Sequence, residues 1–180
     1  DRLQTGHPLR IMDLYSGVGT FTLPLLGSGA KVTCYEADRE ALNSLLLAAR
    51  KAGLGPSCSA HRRDLVTAPV RVEEFCSAKG ESEFDLILLD PPRQGAAAQT
   101  AQLAALAEFL DRETPDSVTD NVPDIVMVSC NPHTAVWDIS VLVAAGWQVE
   151  EVQMIDQFVR TTHIEIVTRL VFAGRQKTNR

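Results

Sequence analysis

The sequence predicts an α/β protein built on a doubly wound, mostly parallel sheet of seven strands, with one antiparallel strand near the C-terminus. Three observations carry this. Short apolar runs alternate with longer segments of helical period along the 180 residues, the pattern of β–α–β units with right-handed crossovers. Two of those runs, Leu86-Ile87-Leu88-Leu89 and Ile125-Val126-Met127-Val128, are apolar without a break, as strands covered on both faces must be. The last two runs are close in sequence with no helix between them, and so short a connection suits an antiparallel pair.

Taken in order, Pro8 to Leu14 reads as the first strand, broken by Ser16-Gly17-Val18-Gly19. A helix from Thr20 to Leu26 stops at Gly27-Ser28-Gly29. Lys31 to Tyr35 is the second strand. Arg39 to Ala52 has apolar residues at Ala41, Leu42, Leu45, Leu46 and Ala49, a helical stripe stopped by Gly53. Ser57 to His61 forms a short third strand, and Val70 to Ala78 is expected to be helical. Phe84 to Leu89 is the fourth strand, ending in Asp90-Pro91-Pro92, and Ala96 to Leu110 the helix behind it. Glu113 to Pro123, rich in Asp, Thr and Pro, reads as a surface loop. Strand Ile125–Val128, helix Thr134–Ala145 (stopped by Gly146), strand Val149–Ile155 and strand Ile164–Phe172 complete the chain. One domain over residues 1–180 is expected, long enough to bury a full core.

Composition narrows the function classes. A net charge of −6 argues against a free-standing nucleic-acid binder, which carries a basic excess. Basic residues cluster only at Arg62-Arg63 and in the tail Arg175, Lys177, Arg180. The four cysteines Cys34, Cys58, Cys76 and Cys130 lack CxxC spacing, which favours neither a zinc site nor a disulfide framework and points to a reducing cytoplasm. No metal is expected. No apolar run reaches transmembrane length, so no membrane partner is expected.

Chemistry concentrates at predicted strand ends, where an open α/β sheet places its ligand crevice. Asp13-Leu14-Tyr15-Ser16-Gly17-Val18-Gly19-Thr20 leaves the first strand with two glycines that permit a tight turn and close approach of backbone to ligand. The third glycine of a dinucleotide fingerprint is missing, with Phe21-Thr22 in that region, which disfavours a dehydrogenase. Glu36 follows the second strand, placed to accept hydrogen bonds from both hydroxyls of a ribose. Asp64, after the third, is placed to meet an adenine amine. Each acid alone fits a loop or capping role; three strand ends in a row each bearing an acid read as an adenosyl site. With the sheet closed by an antiparallel strand, the arrangement resembles the Rossmann-like fold of S-adenosylmethionine (SAM)-dependent methyltransferases.

Asp90-Pro91-Pro92-Arg93 closes the fourth strand. Methyltransferases acting on exocyclic amines carry an aromatic residue where Arg93 stands, so amine methylation is disfavoured; a proline-stiffened turn is the plain reading. Val128-Ser129-Cys130-Asn131-Pro132 puts a thiol at another strand end, and Glu165 supplies a carboxylate near the start of the last strand. By itself Cys130 is equally a small buried residue. A nucleophile and a base beside a cofactor site suggest covalent catalysis. His163 is a third candidate acid or base, and more often such a histidine is structural. Asp156 either lines the pocket or caps the next turn.

Together these pieces resemble the catalytic domain of the RNA uracil-C5 methyltransferases, the tRNA and ribosomal RNA (uracil-5-)-methyltransferases. The resemblance rests on Asp13-Leu14-Tyr15-Ser16-Gly17-Val18-Gly19-Thr20-Phe21, Tyr35-Glu36-Ala37, Leu89-Asp90-Pro91-Pro92-Arg93, Ser129-Cys130-Asn131-Pro132, and Asp156-Gln157-Phe158 through Thr162-His163-Ile164-Glu165. It implies that Cys130 is the nucleophile and Glu165 the base. It implies a SAM site of Asp13, Tyr15, Gly17, Gly19, Thr20, Glu36, Asp64 and Asp90. Asp90, Arg93, Asn131 and Asp156 would face the substrate. Val159 stands where the family has a proline, and Ser16 where a cysteine is common. Relatives carry an N-terminal RNA-binding β-barrel and a central segment, whereas this chain opens just before the first strand. The expectation is therefore a catalytic domain that engages tRNA or rRNA through additional domains or a partner. Two other readings stay open: a SAM-dependent methyltransferase of another substrate, for which Cys130 would be dispensable, and a non-catalytic SAM-binding scaffold, which has no need of Cys130 and Glu165 together.

Overall fold

The computed structural model describes residues 7–78, 80–113, 122–156 and 164–173. Its strands are β1 (Arg10–Leu14), β2 (Lys31–Glu36), β3 (Cys58–Arg62), β4 (Leu86–Leu89), β5 (Asp124–Ser129), β6 (Trp147–Ile155) and β7 (Glu165–Phe172). The helices are α1 (Thr22–Gly27), α2 (Arg39–Lys51), α3 (Ala97–Glu113) and α4 (Pro132–Ala144). The strands form one sheet in the order β3-β2-β1-β4-β5-β7-β6. β1 to β5 pair in parallel, and β7 slots antiparallel between β5 and β6. This is the expected doubly wound Rossmann-like sheet with one antiparallel strand.

Alternation along the strands builds two core layers. In β1, Ile11 packs with Val32, Cys34 and the α2 residues Leu42, Leu45 and Ala49. The neighbouring Met12 and Leu14 belong to the other layer, with Ile87, Leu89, Ile125 and Met127 under Leu103, Leu106 and Leu110 of α3. Successive strand residues point to opposite faces, so a single short strand serves both layers at once. Trp147 and Phe172 meet edge-on at the far end, ring centroids 5.3 Å apart. Trp147 also donates its indole N–H to the carbonyl of Pro123 at 3.2 Å.

Helix ends follow local chemistry. The Asp38 carboxylate accepts from the backbone N–H groups of Glu40 and Ala41 at 2.8 Å and starts α2. Asn131 starts α4, its side-chain oxygen accepting from His133 N–H at 3.1 Å, with Pro132 in the first turn where no N–H is needed.

The helix expected over Val70–Ala78 is not formed; the segment holds one short 3-10 turn, Val72–Glu74. Side chains compete for its backbone. The Gln99 amide accepts from Val70 N–H at 2.9 Å and donates to Val70 carbonyl at 3.1 Å. Arg63 donates to the carbonyls of Ala68 and Pro69 and to the Glu74 carboxylate. With Val70 and Phe75 fully buried, the segment is an anchored strap. Of the loop expected over Glu113–Pro123, residues 114–121 lie outside the described residues, as do Gln157, Phe158, Val159, His163 and the basic tail. Among the described residues, no helix is long and apolar enough to cross a membrane, and no group of His, Cys, Asp and Glu is arranged to hold a metal ion.

Candidate active site

The carboxyl ends of β1, β2, β4 and β5 and the amino end of antiparallel β7 share one edge of the sheet. At β1 the chain turns sharply: Tyr15 has φ +67°, Gly17 +55° and Gly19 +95°, a left-handed region that a non-glycine residue enters at a cost. Ser16 N–H donates to Tyr35 carbonyl at 3.0 Å, tying the turn to β2. The two glycines do different work. A side chain on Gly19 would meet Leu45 at 2.9 Å, so that glycine lets the turn sit on α2; the space beside Gly17 is open.

Glu36 accepts from Gly17 N–H and from Asp38 N–H, each at 2.8 Å and one on each carboxylate oxygen. A carboxylate has about four acceptor sites, so half remain for a ligand. Asp64 is more committed: it accepts from Val66 N–H and from the Thr67 hydroxyl, both at 3.0 Å, capping the turn after β3. Glu36, Asp64, Asp90, Tyr15 and Tyr35 line one cleft of about 490 Å³, within the range of small-molecule sites.

Two carboxyls in this edge hold their protons unusually well. Asp13 is 1% exposed. Burial pushes it up to about 6, the Thr22 hydroxyl bond at 2.5 Å pulls it back, and the charges of Asp90 and Glu36 raise it further. Asp90 is also pushed up to about 6, first by burial and then by the charge of Glu165. The Tyr15 phenol is pushed up to about 12 by burial, then by Asp138 and Asp64. An edge so rich in acid is suited to a ligand that brings positive charge. The buried oxygen Asp13 Oδ1 has no hydrogen-bond partner among the described residues, an unmet polar demand at the start of the glycine turn. The residues present therefore fit SAM, whose sulfonium and ammonium are cationic and whose ribose offers two hydroxyls to Glu36.

The predicted catalytic residues stand on adjacent strand ends. Ser129 of β5 is registered with Ile166 of β7, so one further step of the antiparallel register brings Cys130 abreast of Glu165. Cys130 is half-buried, and Glu165 is registered on its other side with Ile155. Asp90 stands at the end of neighbouring β4, near enough for the charge of Glu165 to act on it. Asp156, exposed, follows Ile155 on the same rim. Arg93 is exposed three residues after Asp90. Thr20 is exposed in the glycine turn and is not among the residues that line the cleft. Asn131 is built into the fold: besides its cap it donates its amide N–H to the Arg93 carbonyl at 3.0 Å.

Several contributors escaped sequence reasoning. Thr22 binds Asp13, and Asp138 holds the start of α3, yet both sit in unremarkable helical positions. In the sequence Arg63 stands out only as half of a basic pair. It grips the strap and lies 5.9 Å above the Tyr35 ring, while Arg62 donates to Ala37 carbonyl at 3.2 Å. Both arginines hold the cleft wall together.

Comparison with known proteins agrees with this layout. A family model described as tRNA (uracil-5-)-methyltransferase matches residues 3–171. An uncharacterised RNA methyltransferase of Caulobacter vibrioides is 40% identical over 159 residues, covering 88% of this chain and 33% of its own length. A 23S rRNA (uracil(1939)-C(5))-methyltransferase of Halomonas elongata is 32% identical over 165 residues, covering 87% of this chain and 28% of its own. Among solved structures, the Pyrococcus abyssi tRNA (uracil-54, C5)-methyltransferase in complex with S-adenosyl-L-homocysteine superposes with a TM-score of 0.62 at 27% identity. That match covers 93% of this chain and 35% of the Pyrococcus chain. The chain thus spans about a third of the length of the relatives it matches.

Proposed function

The chain belongs to the tRNA (uracil-5-)-methyltransferase family, and from that premise we propose that it carries SAM-dependent methylation of C5 of a uridine in tRNA or rRNA, through a covalent bond between Cys130 and C6. SAM, when bound, supplies an electrophilic methyl group on sulfur. The chain's own residues make the carbon that receives it. C5 of uracil is a weak nucleophile. Addition of the Cys130 thiolate forms an S–C6 bond and moves an electron pair toward C5 and the C4 carbonyl, leaving C5 enolate-like. Once C5 carries the methyl group, Glu165 takes the C5 proton, the C5–C6 double bond re-forms, and the S–C6 bond breaks to return the thiolate. Thiolate suits both steps because it adds readily and leaves readily.

The observation that carries this reading is the register that sets Cys130 abreast of Glu165, with Asp90 on the next strand. Asp90 lines the cofactor cleft and feels the charge of Glu165, and it keeps its proton to about 6. Two stiff prolines, Pro91 and Pro92, hold it there. The target base must leave its stack to enter such a crevice. Additional domains or a partner would supply most of the RNA affinity, in keeping with the −6 charge of this chain.

The test is mass spectrometry after incubation with SAM and a 5-fluorouridine RNA, beside Cys130→Ala. Fluorine at C5 blocks the last proton removal, so the adduct should accumulate on Cys130 and be missing from the variant. Calorimetry verifies SAM binding in parallel. SAM binding with no adduct, also after fusion to the remaining segments of the Caulobacter relative, would overturn the C5 reading in favour of another substrate or a SAM-binding scaffold.

A further inference from the structure

The two loops that carry the reactive groups are not independent. One runs from Asp90 to Gly95 after β4, the other from Ser129 to Pro132 after β5. The Arg93 carbonyl accepts from Asn131 Nδ2 at 3.0 Å and from Thr134 Oγ1 at 3.2 Å. The same Asn131 holds its own loop, since its backbone N–H and carbonyl are both bonded to Ser129 Oγ, at 3.2 and 3.1 Å. One turn further along α4, Asp138 is 4% exposed. Its Oδ2 accepts from Ala96 N–H at 2.8 Å and its Oδ1 from the Thr100 hydroxyl at 3.3 Å. Gly95, at φ +83°, makes room: a side chain there would lie 2.7 Å from Asp138 Oδ2. The first loop is thus pinned at two points to the helix that begins beside Cys130. Burying a carboxylate is costly unless it is well bonded, and this one is spent on a backbone amide of a neighbouring element.

We propose that Asn131 and Asp138 are positioning residues, locking the Asp90–Gly95 loop to the Cys130 helix so that acid and thiol meet the uracil ring at a fixed spacing. The proposal rests on the uracil-C5 reading above. It also gives Asn131 a task that needs no contact with RNA. Misplacement of a reacting group by about 1 Å costs on the order of 100-fold in rate, so a clamp of this kind acts on the chemical step and spares affinity.

The experiment is single-turnover formation of the 5-fluorouridine adduct over a range of RNA concentrations, with SAM affinity by calorimetry. Asn131→Asp keeps the cap on His133 and loses the donor to Arg93. Its maximal rate should fall roughly 10- to 100-fold, with the half-saturating RNA concentration and the SAM affinity within about twofold of wild type. Thr134→Val, which removes the other donor to the same carbonyl, should share the effect in part. Asp138→Ala should behave like Asn131→Asp, and Asp138→Asn, which can keep both bonds, should recover most of the rate. A higher half-saturating concentration at unchanged maximal rate would make Asn131 an RNA contact and overturn the proposal; unchanged kinetics would do so too. Amide hydrogen exchange provides a readout separate from catalysis. Asn131→Asp should speed exchange at Gly95, Ala96 and Thr100, and unaltered exchange there refutes the clamp. Should wild type bind SAM yet form no adduct, also when fused to the remaining segments of the Caulobacter relative, the methylation reading fails, while exchange still decides the clamp.

Discussion

Asp90 shows at a single residue how function and stability pull apart. Its carboxyl is pushed up to about 6 in the folded protein, against about 3.9 in an unfolded chain. The folded state therefore holds this proton more tightly. The associated stabilisation is complete below the unfolded value and is lost as pH rises through about 6. At pH 7.5 the ionised side chain is a net burden. Asp90→Asn should accordingly raise the stability of the fold at pH 7.5 by about 1 kcal/mol, once solvent screening of this half-buried group is allowed for. Thermal melts at pH 7.5 and pH 4 should show that gain shrinking toward the acid side, while adduct formation falls at least tenfold. At this scale the sequence was most informative where a residue type is forced by chemistry. Cys130, Glu165, Glu36 and Asp90 stand out as candidates at strand termini, and the family resemblance supplies the roles expected of them. Thr22, Thr134 and Asp138 could not, because each acts on a group distant in sequence, and nothing in a helical threonine or aspartate announces its partner.

At the scale of elements, the glycine turn after β1 separates packing from binding. Gly19→Ala places a methyl group 2.9 Å from Leu45 at a φ of +95°, and should destabilise the protein by about 2 kcal/mol in urea unfolding. Gly17→Ala meets no atom within 4 Å and should cost only about 1 kcal/mol of backbone strain, while weakening SAM binding severalfold in calorimetry. Equal losses of stability for the two would contradict this division. Strands and long helices were legible because their periodicity is local: α2 starts and ends where its Asp38 cap and Gly53 say. The strap at Val70–Ala78 was not. Its helical composition loses to hydrogen bonds from Gln99 and Arg63, residues that only the folded chain brings alongside it.

At the scale of the whole molecule, one edge of the sheet gathers Asp13, Glu36, Asp64, Asp90 and Glu165: the parallel strands β1 to β4 bring the first four there at their carboxyl ends, and antiparallel β7 brings Glu165 at its start. A cationic ligand relieves their mutual repulsion. SAM affinity should therefore drop about tenfold between pH 7.5 and pH 5, as one carboxyl with a value near 6 becomes protonated. S-adenosylhomocysteine, which lacks the sulfonium charge, should show a shallower dependence in the same calorimetric titrations; identical slopes would remove electrostatics from the account. The antiparallel β7 carries a last consequence, for how the protein comes into being. β6 leaves the ribosome before β7 yet has no place in the sheet until β7 lies against β5. A nascent chain can assemble its cofactor half, β1 to β4, well before then. Cys130 comes abreast of Glu165 only when the final strand is threaded into the gap, so synthesis itself keeps the proposed nucleophile and base apart until the sheet is complete.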